Sequence, residues 1–283
     1  VLIHEEKAGP PPEALAARGP LPRQVVSVSI SELAKASAGT EKAKTSVVLG
    51  LLAGWFGVPR DAIFKGLSKK FAVKAPELLE ANDRALAAGE SFAAANPLAG
   101  AKVLPAATAA PGSKLLCDGN DLCAAGAIVA GVEFFGGYPI TPSTEVMQIL
   151  SRELWQHGGT VLQCEDEIAG IGAAIGASYA GKKSMTATSG PGMSLKTELM
   201  GLATLAEIPL VILNVQRGGP STGLPTKPEQ ADLFQAAFSA HGDVLRPVLA
   251  PTTVADTFRV TIDAFNIAEA YQTPVIILSD QEI

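Results

Sequence analysis

The sequence predicts an α/β fold in which helices cover a parallel sheet on both faces, and three observations predict it. Apolar runs of strand length recur in the second half of the chain, as KSMTATS, PLVILNV and PVIILSD. Segments with helical periodicity separate these runs, and such alternation is typical of a parallel sheet that is buried on both sides. Ala and Gly are abundant while aromatic residues make up only 5% of the chain, which favours helices packed closely against the sheet.

The first region, residues 1–97, predicts a smaller unit of strand and helices. A Pro-rich segment, AGPPPEALAARGPLP, precedes the strand-like run RQVVSVSI. Three predicted helices follow, EKAKTSVVLGLLAGWFG, RDAIFKGLSKKF and APELLEANDRALAAG. Gly57 and Gly89 are expected to end the first and the last of them, because glycine is the usual residue just beyond a helix. Residues 98–114 are rich in Ala, Pro and Gly without periodicity, and predict a linker.

The third region, residues 115–283, alternates helix and strand. AIVAGVEFFGGYPI predicts a helix and then a short strand. Thr141 is the expected N-cap of the next helix, with Pro142 at its first helical position. TVLQCED predicts a strand, and EIAGIGAAIGASYAG a helix crowded with small residues. Because an interior glycine costs a helix about 1 kcal/mol, Gly170, Gly172 and Gly176 require a packing reason, such as close contact with another helix or a ligand.

Composition excludes several classes of protein. The net charge is -6 with no long basic run, which argues against nucleic-acid binding, and no apolar stretch reaches membrane-spanning length. The three cysteines form no C-x-x-C pair, which argues against a disulfide framework and an iron–sulfur cluster on this chain and indicates a reducing cytoplasm. The three histidines are too scattered for a metal site. The absence of an initial Met and the stop just past a strand lead us to expect a fragment of a longer polypeptide.

Chemistry is expected beyond the carboxyl ends of the strands, where ligands bind in open α/β sheets. Four segments there carry unusual residues: YPITPS, CEDEIAG, TSGPG and QRGGPSTGLPT. Glu167 begins the glycine-rich helix, where it either complements the helix dipole or contacts a flat ligand. Arg217 follows a fully apolar strand, where it either forms a structural salt bridge to another loop or binds a carboxylate bidentately. Thr141 is explained adequately as an N-cap, and TSGPG as a tight turn, an anion nest or both.

The motifs in this region resemble those of one family, the 2-oxoacid:ferredoxin oxidoreductases, which use thiamine diphosphate. The segments GGYPITPSTEVM, EDEIAGIGAAIGASYAG, TATSGPGMSLKTELMG and EIPLVILNVQRGGPSTGLPTKPEQADL occur in the same order and at similar spacing in its α chains. The resemblance implies that residues 115–283 are the pyrimidine-binding domain of an α subunit. It implies, more weakly, that residues 1–97 are part of the smaller α/β γ domain that many members fuse ahead of α. The fused order and the QRGGPSTGLPT loop favour the 2-oxoglutarate branch.

The resemblance also implies roles for individual residues. Glu167 falls where the family's glutamate hydrogen-bonds N1′ of the aminopyrimidine, which makes the cofactor's own 4′-nitrogen a base. Arg217 and Thr226 fall on positions that bind the substrate. Thr141 falls on a threonine near the substrate carbonyl.

The cofactors and partners implied by the resemblance extend beyond this chain. The family pattern for diphosphate and Mg²⁺, G-D-G followed by Asn-Asn, is absent here, and the family places it on a β subunit together with a [4Fe-4S] cluster. The resemblance thus implies an (αβ)₂ enzyme that converts 2-oxoglutarate and coenzyme A to succinyl-CoA and CO₂ and reduces ferredoxin. Two alternatives stay open: the same chemistry on pyruvate or a branched-chain 2-oxoacid, and a non-catalytic structural subunit.

Overall fold

The computed structural model describes residues 1–9, 24–72, 75–105 and 115–283. The chain divides into two compact units, Val1–Gly112 and Ser113–Ile283. Most of the Pro-rich segment and the second half of the expected linker, residues 106–114, lie outside the described residues. The domain boundaries expected at residues 97 and 115 stay a prediction.

Among its described residues, the first unit contains a two-stranded parallel sheet and four α-helices. Its strands are β1 (Leu2–Glu5) and β2 (Val25–Val28), and its helices are α1 (Ile30–Ala38), α2 (Lys44–Phe56), α3 (Arg60–Phe71) and α4 (Pro76–Ala95). The sequence predicted β2, α2, α3 and the start of α4, but not β1 or α1. Gly57 ends α2 in the left-handed conformation, as expected.

Gly89 does not end a helix, so that prediction is wrong: α4 continues through it to Ala95. A Cβ atom on Gly89 would lie 2.1 Å from the carbonyl oxygen of Val47 in α2, and one on Gly50 would lie 2.1 Å from the carbonyl oxygen of Leu86. The two glycines therefore let α2 and α4 cross with their backbones in contact. The helix tolerates the conformational cost of Gly89 because no larger residue fits the crossing.

The second unit is a six-stranded sheet with helices on both faces. Its strands are β3 (Phe134–Gly137), β4 (Thr160–Gln163), β5 (Ser184–Thr188), β6 (Leu210–Gln216), β7 (Val248–Leu249) and β8 (Pro274–Asp280). Its helices are α5 (Gly119–Val129), α6 (Thr144–Glu153), α7 (Glu167–Tyr179), α8 (Gly190–Leu205), α9 (Leu233–Phe238) and α10 (Val254–Tyr271). The strands run in the order β4-β3-β5-β6-β8-β7, and every pairing is parallel. The α/β, parallel-sheet prediction is confirmed.

The two faces of β5 show how the layers are divided. Met185 and Ala187 belong to the apolar core that α5, α6 and α10 form on one face. Thr186 and Thr188, at the alternate positions, point to the other face, where α7 and α8 pack. β5 thus directs two threonine hydroxyls into the layer formed by α7 and α8. The same layer contains Glu167.

Thr141 is not a helix N-cap, so that prediction is also wrong. Helix α6 begins at Thr144, and Ser143 occupies the preceding position. Residues 141–143 form a turn in which the Ser143 amide donates to the carbonyl oxygen of Ile140 over 2.9 Å. The carbonyl oxygen of Thr141 accepts a bond from Arg217 instead of joining the helix.

The glycines of α7 have different surroundings. A Cβ on Gly136 in β3 would lie 2.6 Å from the Gly170 carbonyl oxygen, so α7 sits closely on strand β3 rather than on another helix or a ligand. Gly172 has only an ordinary contact with Leu199, and nothing lies within 4 Å of a Cβ on Gly176. Gly170 therefore has a packing reason, although its partner is a strand instead of the expected helix or ligand, and Gly176 has none among the described residues.

Candidate functional site

The four segments singled out in the sequence meet at one edge of the second unit. They follow β3, β4, β5 and β6, which are consecutive in the sheet order. All strands are parallel, so their carboxyl ends and the loops that leave them lie on the same side. Residues far apart in the sequence, from 138 to 222, are therefore neighbours in space.

Glu167 is the first residue of α7, and its side chain is buried, with 8% of the residue exposed. The N-cap is its neighbour Asp166, whose Oδ1 accepts a bond from the Ala169 amide over 2.7 Å. Among the described residues, no protein group hydrogen-bonds the Glu167 carboxylate. A carboxylate that served only the helix dipole would stay in water, because burying a charge costs free energy. The geometry thus favours a ligand contact over the dipole interpretation.

Gly192 provides the space beside this carboxylate. A Cβ on Gly192 would lie 2.2 Å from Oγ1 of Thr188 and 2.9 Å from Oε1 of Glu167. TSGPG forms the turn from β5 into α8, which begins at Gly190. Its second glycine therefore does more than shape a turn: it leaves room for the side chains of both Thr188 and Glu167.

Arg217 is buried at the exit of β6, with 5% of the residue exposed. Its Nη1 donates to the Thr141 carbonyl oxygen over 2.5 Å, and its Nη2 donates to the Thr222 carbonyl oxygen over 2.7 Å. Its Nε is buried without a partner. Within the described ranges no carboxylate lies at salt-bridge distance, so the structural salt bridge, one of the two interpretations of Arg217, is not seen. Neutral carbonyls orient the guanidinium and leave its charge uncompensated.

The loop after Arg217 is fixed by a network of polar bonds. Asn214 Nδ2 donates to Asp232 Oδ2 over 2.9 Å, and the Asp232 amide donates to Gln216 Oε1 over 3.0 Å. The Gly219 amide donates to Glu229 Oε2 over 3.1 Å. Both ends of the loop are therefore tied to strand β6, which holds the guanidinium in one place.

The structure brings some of the expected site residues together and not others. The main chain of Thr141 contacts Arg217 directly, although the Thr141 residue is exposed. Thr226 is exposed, and in the part of the chain that is described its hydroxyl bonds neither Arg217 nor Thr141. Glu167 and Thr188 both lie next to Gly192, in the segment that follows β5.

A cleft of about 450 Å³ opens beside Arg217. Its walls are the loop 218–222, the start of α8 at Gly190 and Pro191, and Asp232. A larger cleft, about 730 Å³, lies between α8 and residues 240–244 and includes none of the expected site residues. The cleft beside Arg217 is the one that matches the chemistry, because it contains the uncompensated cation.

Buried polar atoms without partners gather at the same edge. Seven such atoms occur among the described residues, and four of them lie at the ends of β5 and β6: Thr188 Oγ1, Ser189 Oγ, Asn214 Oδ1 and Arg217 Nε. Buried polar groups in folded proteins are normally hydrogen-bonded, so a concentration of exceptions marks a place where a polar ligand binds. Of these four residues the sequence pointed to Arg217 individually and to Thr188 and Ser189 as part of the TSGPG segment, but not to Asn214.

Lys196 in α8 is a further residue that the sequence reasoning missed. It is fully buried, and its Nζ donates to the Glu167 carbonyl oxygen over 3.0 Å and to Thr186 Oγ1 over 3.1 Å. Burial lowers the pKa of Lys196 to about 8, although the charges of Glu167, Cys164 and Asp166 act in the opposite direction. A signal was present: Lys196 shares the spacing of the apolar stripe formed by Met193 and Met200, which predicts a buried position.

Profiles of protein families match both units of the chain. Residues 125–283 match the family described as "Pyruvate flavodoxin/ferredoxin oxidoreductase, thiamine diP-bdg". Residues 1–92 match the family described as "Pyruvate ferredoxin/flavodoxin oxidoreductase". The first match covers more than half of the chain and contains the whole edge described above.

Individual proteins are similar over most of these residues. The 2-oxoglutarate oxidoreductase subunit KorA of Mycobacterium tuberculosis is 44% identical over 249 residues, 86% of this chain and 38% of the relative. The 2-oxoglutarate synthase subunit KorA of Archaeoglobus fulgidus is 54% identical over 166 residues, 59% of this chain and 48% of the relative. A solved 2-oxoglutarate:ferredoxin oxidoreductase from Magnetococcus marinus, with 2-oxoglutarate, coenzyme A and succinyl-CoA bound, superposes with a TM-score of 0.78 at 44% identity. That match covers 93% of this chain and 46% of the solved one, so the chain spans less than half the length of all three.

Proposed function

Because this chain belongs to the pyruvate ferredoxin/flavodoxin oxidoreductase family and carries its thiamine diphosphate-binding domain, we propose that it acts in a 2-oxoglutarate:ferredoxin oxidoreductase. In this proposal it is the α subunit, fused to part of a γ domain. The reaction converts 2-oxoglutarate and coenzyme A to succinyl-CoA and CO₂, and the two electrons released reduce ferredoxin. The names of its relatives support the choice of 2-oxoglutarate.

One observation carries the proposal: Arg217 is a buried guanidinium whose charge no described carboxylate balances and whose Nε has no partner. A 2-oxoacid brings the carboxylate that such a group lacks. Charge-assisted bonds from a planar guanidinium are short and bidentate, so they fix both the position and the orientation of the acid. The cleft beside Arg217 is large enough for a small dicarboxylic acid.

Thiamine diphosphate fits the residues at the same edge. Glu167 has a buried carboxylate with no described partner, and we assign it to the ring nitrogen N1′ of the aminopyrimidine. The unpartnered hydroxyls of Thr188 and Ser189 supply further polar groups for that ring. When bound, thiamine diphosphate supplies the carbon nucleophile and the electron sink that decarboxylation of a 2-oxoacid requires.

The residues of this chain have distinct roles in the proposal. Arg217 holds the carboxylate of the 2-oxoacid, and the turn at Thr141 lies beside the reacting carbonyl because its main chain is bonded to Arg217. Glu167 holds a proton at N1′. Thr226, on the same loop, adds a hydrogen bond to the substrate.

The remaining parts of the enzyme belong, in this proposal, to other chains. A β subunit holds the diphosphate, the Mg²⁺ ion and a [4Fe-4S] cluster, and the assembly is (αβ)₂. The names of the relatives, which call them subunits, support a multi-subunit enzyme. No helix among the described residues has the length and apolar character needed to cross a membrane. We propose that the complex works in the cytoplasm.

The test is an assay of acceptor reduction by the full-length α polypeptide in complex with its β subunit. We expect CoA-dependent reduction with 2-oxoglutarate to exceed that with pyruvate and with a branched-chain 2-oxoacid. Higher activity with pyruvate or the branched-chain acid would keep the chemistry and change the substrate. Absence of activity with every acid, in a complex that contains bound cofactor and cluster, would favour the non-catalytic alternative.

A further inference from the structure

Lys196 is a buried cation that the proposed chemistry does not use. It lies on α8, the helix that follows TSGPG, and none of its surface is exposed. Ionised side chains are rarely buried to this extent, because an ammonium loses its hydration and must recover the cost from its surroundings. The position of Lys196 therefore requires a reason.

Lys196 forms two hydrogen bonds in the layer that contains Glu167. One bond from its Nζ reaches the main-chain carbonyl oxygen of Glu167 itself, at the first turn of α7. The other reaches the hydroxyl of Thr186, which lies two residues before Thr188 on the same face of β5. Within the described residues it forms no salt bridge with a carboxylate, so its charge is not neutralised by direct pairing.

We propose that Lys196 is the positioning residue for Glu167. Its bond to the Glu167 carbonyl fixes the first turn of α7, and its positive charge lies near the carboxylate that is to meet the ring nitrogen of a bound aminopyrimidine. Lys196 itself does not touch the cofactor. This inference rests on the proposed function, because it gives Glu167 the role assigned there.

Three titratable groups lie around Lys196. Glu167 faces it from α7, and Cys164 and Asp166 face it from the segment between β4 and α7. The attraction of the two carboxylates offsets part of the burial cost, and the pKa of Lys196 is about 8. The residue is therefore cationic at neutral pH and loses its charge as the pH rises through about 8. The amine can still donate its hydrogen bonds above that pH, so the pH dependence isolates the effect of the charge.

The experiment measures the affinity of the αβ complex, freed of cofactor, for thiamine diphosphate with Mg²⁺ by calorimetry from neutral to alkaline pH. We expect the affinity of the wild type to fall roughly tenfold as the pH rises through the Lys196 transition, since about 1.4 kcal/mol corresponds to a factor of ten. Lys196→Met should bind roughly tenfold more weakly at neutral pH and lack this transition. Lys182→Met, which replaces an exposed lysine, is the matched control and should behave as the wild type does.

A double variant separates positioning from general structural damage. If Lys196 acts through Glu167, adding Lys196→Met to Glu167→Gln should change the affinity by less than about twofold, because interacting residues are not additive. Full additivity of the two losses would overturn the proposal. If Glu167→Gln alone binds the cofactor as tightly as the wild type, the role of Glu167 in the proposed function fails, whatever Lys196 does.

A second variant covers the case in which Lys196→Met does not fold. Thr186→Val removes one acceptor from the ammonium with little change in volume, which lowers the pKa of Lys196 further. The drop in affinity should then occur at a lower pH than in the wild type. An unchanged midpoint would show that the titrating group is not Lys196, and would overturn the proposal.

Discussion

Glycines allow a close backbone approach in both units of the chain, but to different ends. In Val1–Gly112, Gly50 and Gly89 let two helices cross. In Ser113–Ile283, Gly192 leaves room at the edge of a sheet for the carboxylate of Glu167 and the hydroxyl of Thr188. The first arrangement buries apolar surface, and the second buries polar groups that gain nothing from burial by themselves.

The distribution of buried polar residues follows the same division. Of the 18 buried polar or charged residues among those described, only Ser31 and Ser46 belong to the first unit. All five charged ones belong to the second: Glu167, Lys196, Arg217, Arg246 and Asp280. Burying charge costs stability. The buried charges lie in the unit that contains the candidate site, where binding a ligand can offset their cost. Substitutions in the two units should therefore have different effects, on turnover in the second and on stability in the first.

The largest effect is expected for Glu167→Gln in the second unit. The amide keeps the shape of the side chain and removes the charge, so the fold should persist while turnover falls by roughly 10²–10⁴-fold, the range of general acid–base catalysis. The measurement is the steady-state rate of the αβ complex with 2-oxoglutarate. Glu165→Gln, at an exposed carboxylate nearby, is the control and should retain activity. Near-normal turnover in Glu167→Gln would leave the helix dipole as the only role of Glu167.

Gly89→Ala, in the first unit, should have a large effect on stability instead of on turnover. The new Cβ would meet backbone atoms of α2, which cannot move aside as a flexible side chain can. We expect a loss of about 3 kcal/mol in the free energy of unfolding, at the upper end of overpacking costs. Urea unfolding followed by tryptophan fluorescence suits this unit, because Trp55 is 4% exposed whereas Trp155 is 70% exposed.

The control for that substitution is Gly66→Ala in α3, where nothing lies within 4 Å of the new Cβ. It should stabilise the unit by up to about 1 kcal/mol, the difference in helix propensity. A loss of stability at Gly66 equal to that at Gly89 would show that the crossing of α2 and α4 is not the cause.

Gly192→Ala is the counterpart in the second unit. Here the new Cβ would meet the side chains of Thr188 and Glu167 rather than backbone, so these groups can shift. We expect turnover to fall roughly a hundredfold, since small displacements in a site are costly, while the free energy of unfolding changes less than in Gly89→Ala. Gly176→Ala, at an open position of α7, should leave turnover unchanged. A Gly192→Ala enzyme with normal turnover would separate Gly192 from the site.

Much of the fold and of the candidate site could be predicted from the sequence, and the errors have physical causes. Uninterrupted apolar strands indicated the parallel sheet, and the sheet alone indicated the edge at which Arg217 and Glu167 lie. The error at Gly89 arose because a glycine that ends a helix and one that lies in a crossing look the same until the partner helix is known. The prediction at Thr141 was wrong because the Thr141 carbonyl oxygen bonds Arg217, 76 residues away, and the helix begins only at Thr144. Lys196 was missed because its burial depends on a hydrogen bond from α8 to Glu167 in α7, and the sequence does not show which helices are in contact.

Arg217→Ala tests the role of the uncompensated cation. Charge-assisted hydrogen bonds contribute about 1.5–3 kcal/mol, so kcat/KM should fall roughly ten- to several hundredfold. If Arg217 binds the carboxylate beside the reacting carbonyl, the loss should appear with 2-oxoglutarate and pyruvate alike. A loss confined to 2-oxoglutarate would assign Arg217 to the distal carboxylate, and no loss with either acid would make the residue structural. Thr226→Val should cost less than Arg217→Ala, because the Thr226 hydroxyl is neutral.

The most direct test of buried charge is the pH dependence of stability at Lys196. Burial lowers the pKa of this lysine from 10.5 to about 8, so between these values the unfolded chain carries a proton that the folded chain has lost. Stability rises with pH wherever the unfolded state binds more protons. The wild type should therefore gain roughly 1.4 kcal/mol per pH unit across this window relative to Lys196→Met, which has no proton to lose. Other groups titrate in the same range, so the informative quantity is the difference between the two proteins in their free energies of unfolding, measured by urea at each pH. A difference that stays flat would show that Lys196 titrates as an exposed lysine does, and the second unit would then bury one charge fewer than the structure indicates.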